Sequence, residues 1–196
     1  MIAIVDYRAG NLVSVKKAID HLGFQCTITS DPAVVERAEK VIVPGVGHFA
    51  ATSALTEIGL CAAITRAIDR QKPFFGICVG MQWMFKSSEE APGTSGLGLF
   101  AGECSHFPTQ VKAPHVGWNQ IEIKDGSRLL CGLSSGTFVY FTHSYRAPMI
   151  ADTVACCNYG GAFSAAVERN HLFGVQFHPE KSADAGLKII DNFCRF

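Results

Sequence analysis

Residues Pro73–Gln82 read PFFGICVGMQ. The apolar run Phe74–Ile77 has the character of a buried strand, and Val79–Phe85 continues as a helical stretch. Cys78 stands at the step between them, with Gly76 and Gly80 each two residues away. A strand that passes at once into a helix is the repeating unit of a parallel sheet covered by helices. Sites in such sheets form beyond the carboxyl ends of the strands, and Cys78 falls there.

Upstream, the same alternation holds. Ile2–Val5 is a short apolar strand. Asn11–Leu22 is a helix with Val15, Ile19 and Leu22 on one face. Phe24–Thr29 is a strand, and Ala33–Ala38 is a weaker helix with Asp31 as its cap. Val41–Val43 is a strand cut by Pro44 and Gly45, and Ala51–Arg70 is the longest helical pattern. Downstream the texture changes. Pro92–Pro114 is rich in glycine with little helical period. The segments NQIEI, TFVYF, DTVACC, GAFSAAV and HLFGVQF are strand-like, and a last helix covers about Ala185–Phe193. The expected fold is α/β: an open, largely parallel sheet with flanking helices and added antiparallel strands in the second half. One domain spans residues 1–196, a length that buries a sizeable core.

Lys plus Arg equal Asp plus Glu at 17 each, so no net charge favours nucleic acid or an acidic membrane surface. No run reaches the roughly 18 to 20 apolar residues of a membrane helix. Eight cysteines form an even set, which admits disulfides. A chain of this size needs none, and its start, MIAIVDYRAGN, reads as a strand and not as a secretory leader. A reducing cytoplasm is the expected compartment.

The chemistry turns on Cys78 and a second segment, FGVQFHPEKS. Small neighbours permit the tight strand-to-helix turn that aims a nucleophile off a sheet. A thiol with a pKa of about 8.5 becomes a better nucleophile at a helix start beside an imidazolium. The first N–H of the helix, at Val79, can stabilise an oxyanion. Cys78 as a small buried filler is the rival reading. The strand LFGVQF should deliver His178 to the same sheet edge. Pro179 holds His178 extended, and an extended His-Pro-Glu lets His178 and Glu180 approach one thiol. Cys78, His178 and Glu180 then form a cysteine triad. Taken singly, His178 reads equally as a surface histidine and Glu180 as a helix-start residue. The glycine turn Pro44–Gly47 in VIVPGVGHF can present N–H groups to the same pocket. Phosphate cradling is its competing use, but no P-loop lysine and hydroxyl follow.

GICVGMQ with a distant HPE resembles the class I glutamine amidotransferases. DYRAGN, PGVGHF, SSEEAPGTSGLGLF, APHVGWNQ, YFTHSY and FHPEKS extend the resemblance over nearly the whole chain. Together they narrow it to the glutaminase subunits of the histidine-biosynthesis branch. The resemblance implies a subunit that hydrolyses L-glutamine through Cys78, His178 and Glu180, by way of a glutamyl thioester, without cofactor or metal. It implies that Gly47, Gln82, Glu90, His143, Ser144 and Tyr145 hold glutamine. Val46 is implied as an oxyanion donor once its backbone is in the active orientation. The implied partner is a (β/α)8-barrel cyclase subunit in a 1:1 heterodimer. It receives ammonia and makes imidazole glycerol phosphate and an aminoimidazole carboxamide ribotide. Asn11, Trp118, Tyr140 and Lys181 would lie toward it. Arg8 stands where many relatives have a small residue. Ammonia released early is lost to water, so low activity without the partner is expected.

Plainer readings stand beside these. The rival to each is a solvated helix residue for Gln82, a loop carboxylate for Glu90, core packing for Trp118 and a surface cation for Lys181. The site or interface reading is preferred for Gln82, Glu90 and Lys181. His143 also follows a strand but lacks a carboxylate two residues on, which favours His178 as the base. An autonomous cysteine amidohydrolase or γ-glutamyl hydrolase of similar fold would work without a docking face. A non-enzymatic subunit would not need the triad. A zinc site has no supporting ligand spacing.

Overall fold

The computed structural model describes all 196 residues. Twelve strands are β1 (Ile2–Val5), β2 (Cys26–Thr29), β3 (Lys40–Gly45), β4 (Phe74–Cys78), β5 (Ser87–Ser88), β6 (Glu103–His106), β7 (His115–Ile123), β8 (Thr137–His143), β9 (Tyr145–Arg146), β10 (Thr153–Asn158), β11 (Ala162–Arg169) and β12 (Leu172–Val175). Six α-helices are α1 (Leu12–His21), α2 (Pro32–Arg37), α3 (Ser53–Glu57), α4 (Leu60–Asp69), α5 (Val79–Gln82) and α6 (Ala183–Arg195).

Nine strands form one sheet in the order β2-β1-β3-β4-β12-β11-β10-β7-β8. The pairs β1–β2, β1–β3, β3–β4 and β4–β12 are parallel. The pairs β11–β12, β10–β11, β7–β10 and β7–β8 are antiparallel. The switch from parallel to mixed sheet in the second half therefore stands as expected. β4 has a parallel neighbour on each side and is buried along its whole length, which explains its unbroken apolar sequence. On one face α6 seats Phe193 against Phe75 and Phe173, with ring centroids 5.0 and 5.9 Å apart.

Local details differ from the sequence reading. The long helix expected over Ala51–Arg70 is broken. A 3-10 turn over Phe49–Thr52 and α3 end at Gly59, whose φ of +76° suits glycine and caps α4. The helix after Cys78 stops at Gln82 and not at Phe85. The carbonyls of Trp83, Met84 and Phe85 accept from Leu97, Phe100 and Gly98 instead of continuing a helix. Pro44 does not cut β3, which runs on to pair Gly45 with Cys78. Proline is tolerated there because the β1 pairing has already ended at Ile42. The irregular stretch Pro92–Pro114 contains β6, part of a small sheet in the order β5-β6-β9. All eight cysteines are free thiols.

Candidate active site

Cys78 ends β4 with φ +53° and ψ −109°, a conformation that a non-glycine residue adopts only under constraint. The constraint is the tight return of α5. A Cβ on Gly80 would lie 1.8 Å from the Val43 carbonyl oxygen, and one on Gly76 would lie 2.6 Å from the Gly80 oxygen. Only glycines let the chain turn there while the strands stay packed.

The neighbouring strand delivers the base. β12 pairs Val175 with Ile77, so the residues that follow pass beside Cys78. His178 is extended, with φ −101° and ψ 97°, as Pro179 demands. The extended His-Pro-Glu expected from sequence is corrected after that residue: Pro179–Lys181 forms a 3-10 turn. The turn folds Glu180 back, and His178 Nδ1 lies 2.9 Å from Glu180 Oε1. Both side chains are 1% exposed. The His178 N–H donates to Tyr140 O at 2.9 Å. Ser182 Oγ donates to the His178 carbonyl at 2.7 Å while accepting from Tyr140 N–H at 3.0 Å. The backbone of His178 is thus tied to β8 as well as following β12.

The Nδ1–Glu180 bond leaves Nε2 as the reactive nitrogen, and Nε2 has no other partner. Burial lowers the proton affinity of His178. The Cys78 sulfur and the Glu180 carboxylate more than offset it, so its pKa rises above the ordinary histidine range. The imidazole is thereby held ready to carry a proton beside Cys78.

A cleft of about 30 Å³ opens on Cys78. Gly47, Cys78, Val79, Gln82, Glu90, His143, Ser144 and Tyr145 line it together with Thr142, which sequence reasoning missed. Val46 is 36% exposed and lies outside this lining. Glu90 Oε2 accepts from Phe49 N–H at 2.7 Å, pinning the end of the glycine turn. Gln82 is buried, not solvated, and its Nε2 donates to Tyr145 O at 2.8 Å and to Gln176 Oε1 at 3.1 Å. Its own carbonyl oxygen is the polar atom left for the cleft. His143 uses both ring nitrogens within the protein, at 2.8 Å from Tyr145 O and 3.3 Å from His115 Nδ1. Its expected part in holding glutamine therefore narrows to its backbone.

The residues expected toward a partner cluster beside the triad. Trp118 and Tyr140 are register partners on β7 and β8, with ring centroids 6.1 Å apart. Trp118 is 52% exposed, which removes its reading as core packing. Lys181 Nζ stands 5.7 Å from the Tyr140 ring centroid. Asn11 Nδ2 donates to Glu180 Oε1 at 3.4 Å, so Asn11 also touches the carboxylate behind His178.

Gln176, fully buried, was not anticipated; its Nε2 lies 3.7 Å from Cys78 Sγ. Its position two residues before His178 was the available signal, because strand period two puts both on one face. His115 carried no such signal. A larger groove of about 610 Å³, lined by residues from Ile123 to Leu133 and by Asn192, Arg195 and Phe196, contains none of these residues. No group of three or more His, Cys, Asp or Glu side chains is arranged to hold a metal ion.

The family profile described as glutamine amidotransferase class-I matches residues 3–195. The imidazole glycerol phosphate synthase subunit HisH of Moorella thermoacetica is 45% identical over 195 residues, covering 98% of this chain and 93% of that protein. The HisH subunit of Pyrococcus furiosus is 45% identical over 201 residues, covering 99% and 98%. A solved glutamine amidotransferase superposes with a TM-score of 0.78 at 18% identity over the full length of both chains. The PurLQS structure from Thermotoga maritima gives 0.77 at 18% identity, covering 99% of this chain and 97% of that one. At that identity the likeness is one of fold.

Proposed function

We infer the reaction from one premise: the chain belongs to the class I glutamine amidotransferases. It is a glutaminase. It hydrolyses the side-chain amide of L-glutamine and delivers the ammonia to a cyclase subunit in histidine biosynthesis. The partner is a (β/α)8-barrel protein bound 1:1 over Asn11, Trp118, Tyr140 and Lys181, and it makes imidazole glycerol phosphate and an aminoimidazole carboxamide ribotide. The compartment is the cytoplasm; no helix here is long and apolar enough to cross a membrane.

The observation that carries the reading is the strained Cys78 beside a buried His178 whose Nδ1 is bonded to Glu180. The Cys78 thiolate adds to the amide carbon. The tetrahedral oxygen takes hydrogen bonds from the Val79 N–H and from the Pro44–Gly47 turn. As the C–N bond breaks, His178 Nε2 gives its proton to the leaving nitrogen, and ammonia departs from a glutamyl thioester. His178 then takes a proton from water, which attacks the thioester. The C–S bond breaks, and glutamate and the thiolate are restored. Glu180 keeps Nδ1 protonated and the ring oriented throughout.

The cleft on Cys78 is narrow, and Val46 is not among the residues that line it. Docking of the loaded partner brings the Val46 N–H into place. One absent oxyanion donor costs about 3 to 4 kcal/mol, roughly two to three orders of magnitude in rate. The test is glutamate release by the purified chain, alone and with its barrel partner and that partner's nucleotide substrate. Activity strong only in the loaded complex, and lost in Cys78→Ala, is the expected result. Equal turnover by the free chain removes the gating, and release independent of Cys78 removes the mechanism.

A further inference from the structure

Gln176 has no part in the reaction as written, yet its side chain donates a hydrogen bond to the nucleophile. Its Nε2 donates to Cys78 Sγ at 3.7 Å, within reach for an N–H···S bond. A primary amide can turn either end toward the sulfur, and only one end donates. Here the choice is made by a neighbour. Gln82 Nε2 donates to Gln176 Oε1 at 3.1 Å, which turns the carbonyl end away and leaves the NH2 on Cys78.

Gln82 is fixed in turn. Its second N–H goes to Tyr145 O at 2.8 Å. The same carbonyl takes His143 Nδ1 at 2.8 Å; a carbonyl only accepts, so His143 carries its proton on Nδ1. His143 Nε2 is then an acceptor, and His115 Nδ1–H donates to it at 3.3 Å. His115 Nε2 accepts from Asn119 Nδ2 at 3.3 Å. One set of proton positions satisfies every link from Asn119 to Cys78. It requires both histidines to be neutral. Burial supplies that, lowering His143 to about 3 and His115 to about 4.

We propose that Gln176 is a further catalytic residue: its amide N–H holds and stabilises the Cys78 thiolate, and the neutral chain from Asn119 through His115, His143 and Gln82 locks that amide in its donating orientation. The role rests on Cys78 being the nucleophile. The bond is strongest when the sulfur is an anion, which is before attack and again as the thioester breaks. A hydrogen bond to a charged group changes such an equilibrium by about 10- to 100-fold.

The pH profile of Cys78 alkylation by iodoacetamide reads this directly and needs no glutamine. The titratable groups around the sulfur are His178, with Glu180 behind it, Tyr7, and on the cleft side Glu90 and His143. All are retained in the variants Gln176→Met and Gln176→Glu. In folded Gln176→Met, the alkylation midpoint should move up by about one to two pH units. In the complex with the barrel partner, kcat for glutamine should fall about 10- to 100-fold with KM unchanged, because Gln176 is shielded from the cleft. Gln176→Glu keeps the acceptor for Gln82 and places a carboxylate on the sulfur, so its midpoint should move at least as far. It carries the test if the Met variant does not fold. A folded variant with the parental midpoint overturns the proposal. If the parent complex hydrolyses no glutamine, the enzymatic reading fails, while the alkylation profile still judges Gln176.

Discussion

Lowering the pH from about 6.5 to 5 should destabilise this protein through His115 and His143. Both are buried, at 5% and 6% exposure, and both are held neutral by a chain of hydrogen bonds that an extra proton would break. Their pKa values fall to about 4 and about 3, burial being the main cause in each. In the unfolded chain each titrates at about 6.5. Above that value both states are neutral and no penalty exists. Below it the unfolded state takes up a proton that the native state refuses, so stability falls with falling pH until the native pKa is reached. The slope is about 1.4 kcal/mol per pH unit for each fully refusing histidine. Over this window the pair should cost roughly 3 kcal/mol, a large part of the usual 5 to 15 kcal/mol of a domain. The window lies above the titration of ordinary carboxylates. His178 adds nothing there, since its raised pKa leaves it protonated in both states below about 6.5. Urea denaturation followed by circular dichroism at pH about 8, 6.5 and 5 measures the loss. The variant His115→Phe keeps the ring stacked between Tyr159 and Phe141, at 4.1 and 4.8 Å. It should lose about half as much over the same window, starting about 1 to 2 kcal/mol lower because His143 Nε2 loses its donor. Parental stability that is flat between pH 6.5 and 5 would refute the neutral pair, and with it the single set of proton positions that orients Gln82.

Two further outcomes follow from single sites. Glu180→Gln should fold, since Asn11 and His178 can still bond an amide oxygen. It should lower kcat in the complex by about two orders of magnitude or more with little change in KM, and initial-rate kinetics decide it. Arg8→Gly should raise stability by about 1 kcal/mol in urea denaturation, because Arg8 is exposed and sits at φ +66°, where a Cβ is strained.

The apolar runs and the cysteine between glycines were enough to read the α/β class, the sheet's change of character and the pair of segments that make the site. Those signals are local: strand period, a proline's effect on its predecessor, and two glycines where a Cβ does not fit. The places where the reading failed were decided partly by local turns and partly by distant partners. Gly59 breaks the long helix through its own φ, but the helix does not continue past Gln82 because the loop from Leu97 to Phe100 takes the carbonyls of Trp83, Met84 and Phe85. Glu180 reaches His178 through a 3-10 turn, which a sequence read as extended did not show. Gln176, Gln82, His143 and His115 come from four separate segments, and no spacing connects them. Whether a buried amide donates to a sulfur or turns away from it depends on which acceptors stand beside it. That is fixed only when strands far apart in the chain are packed against one another and water is excluded from between them.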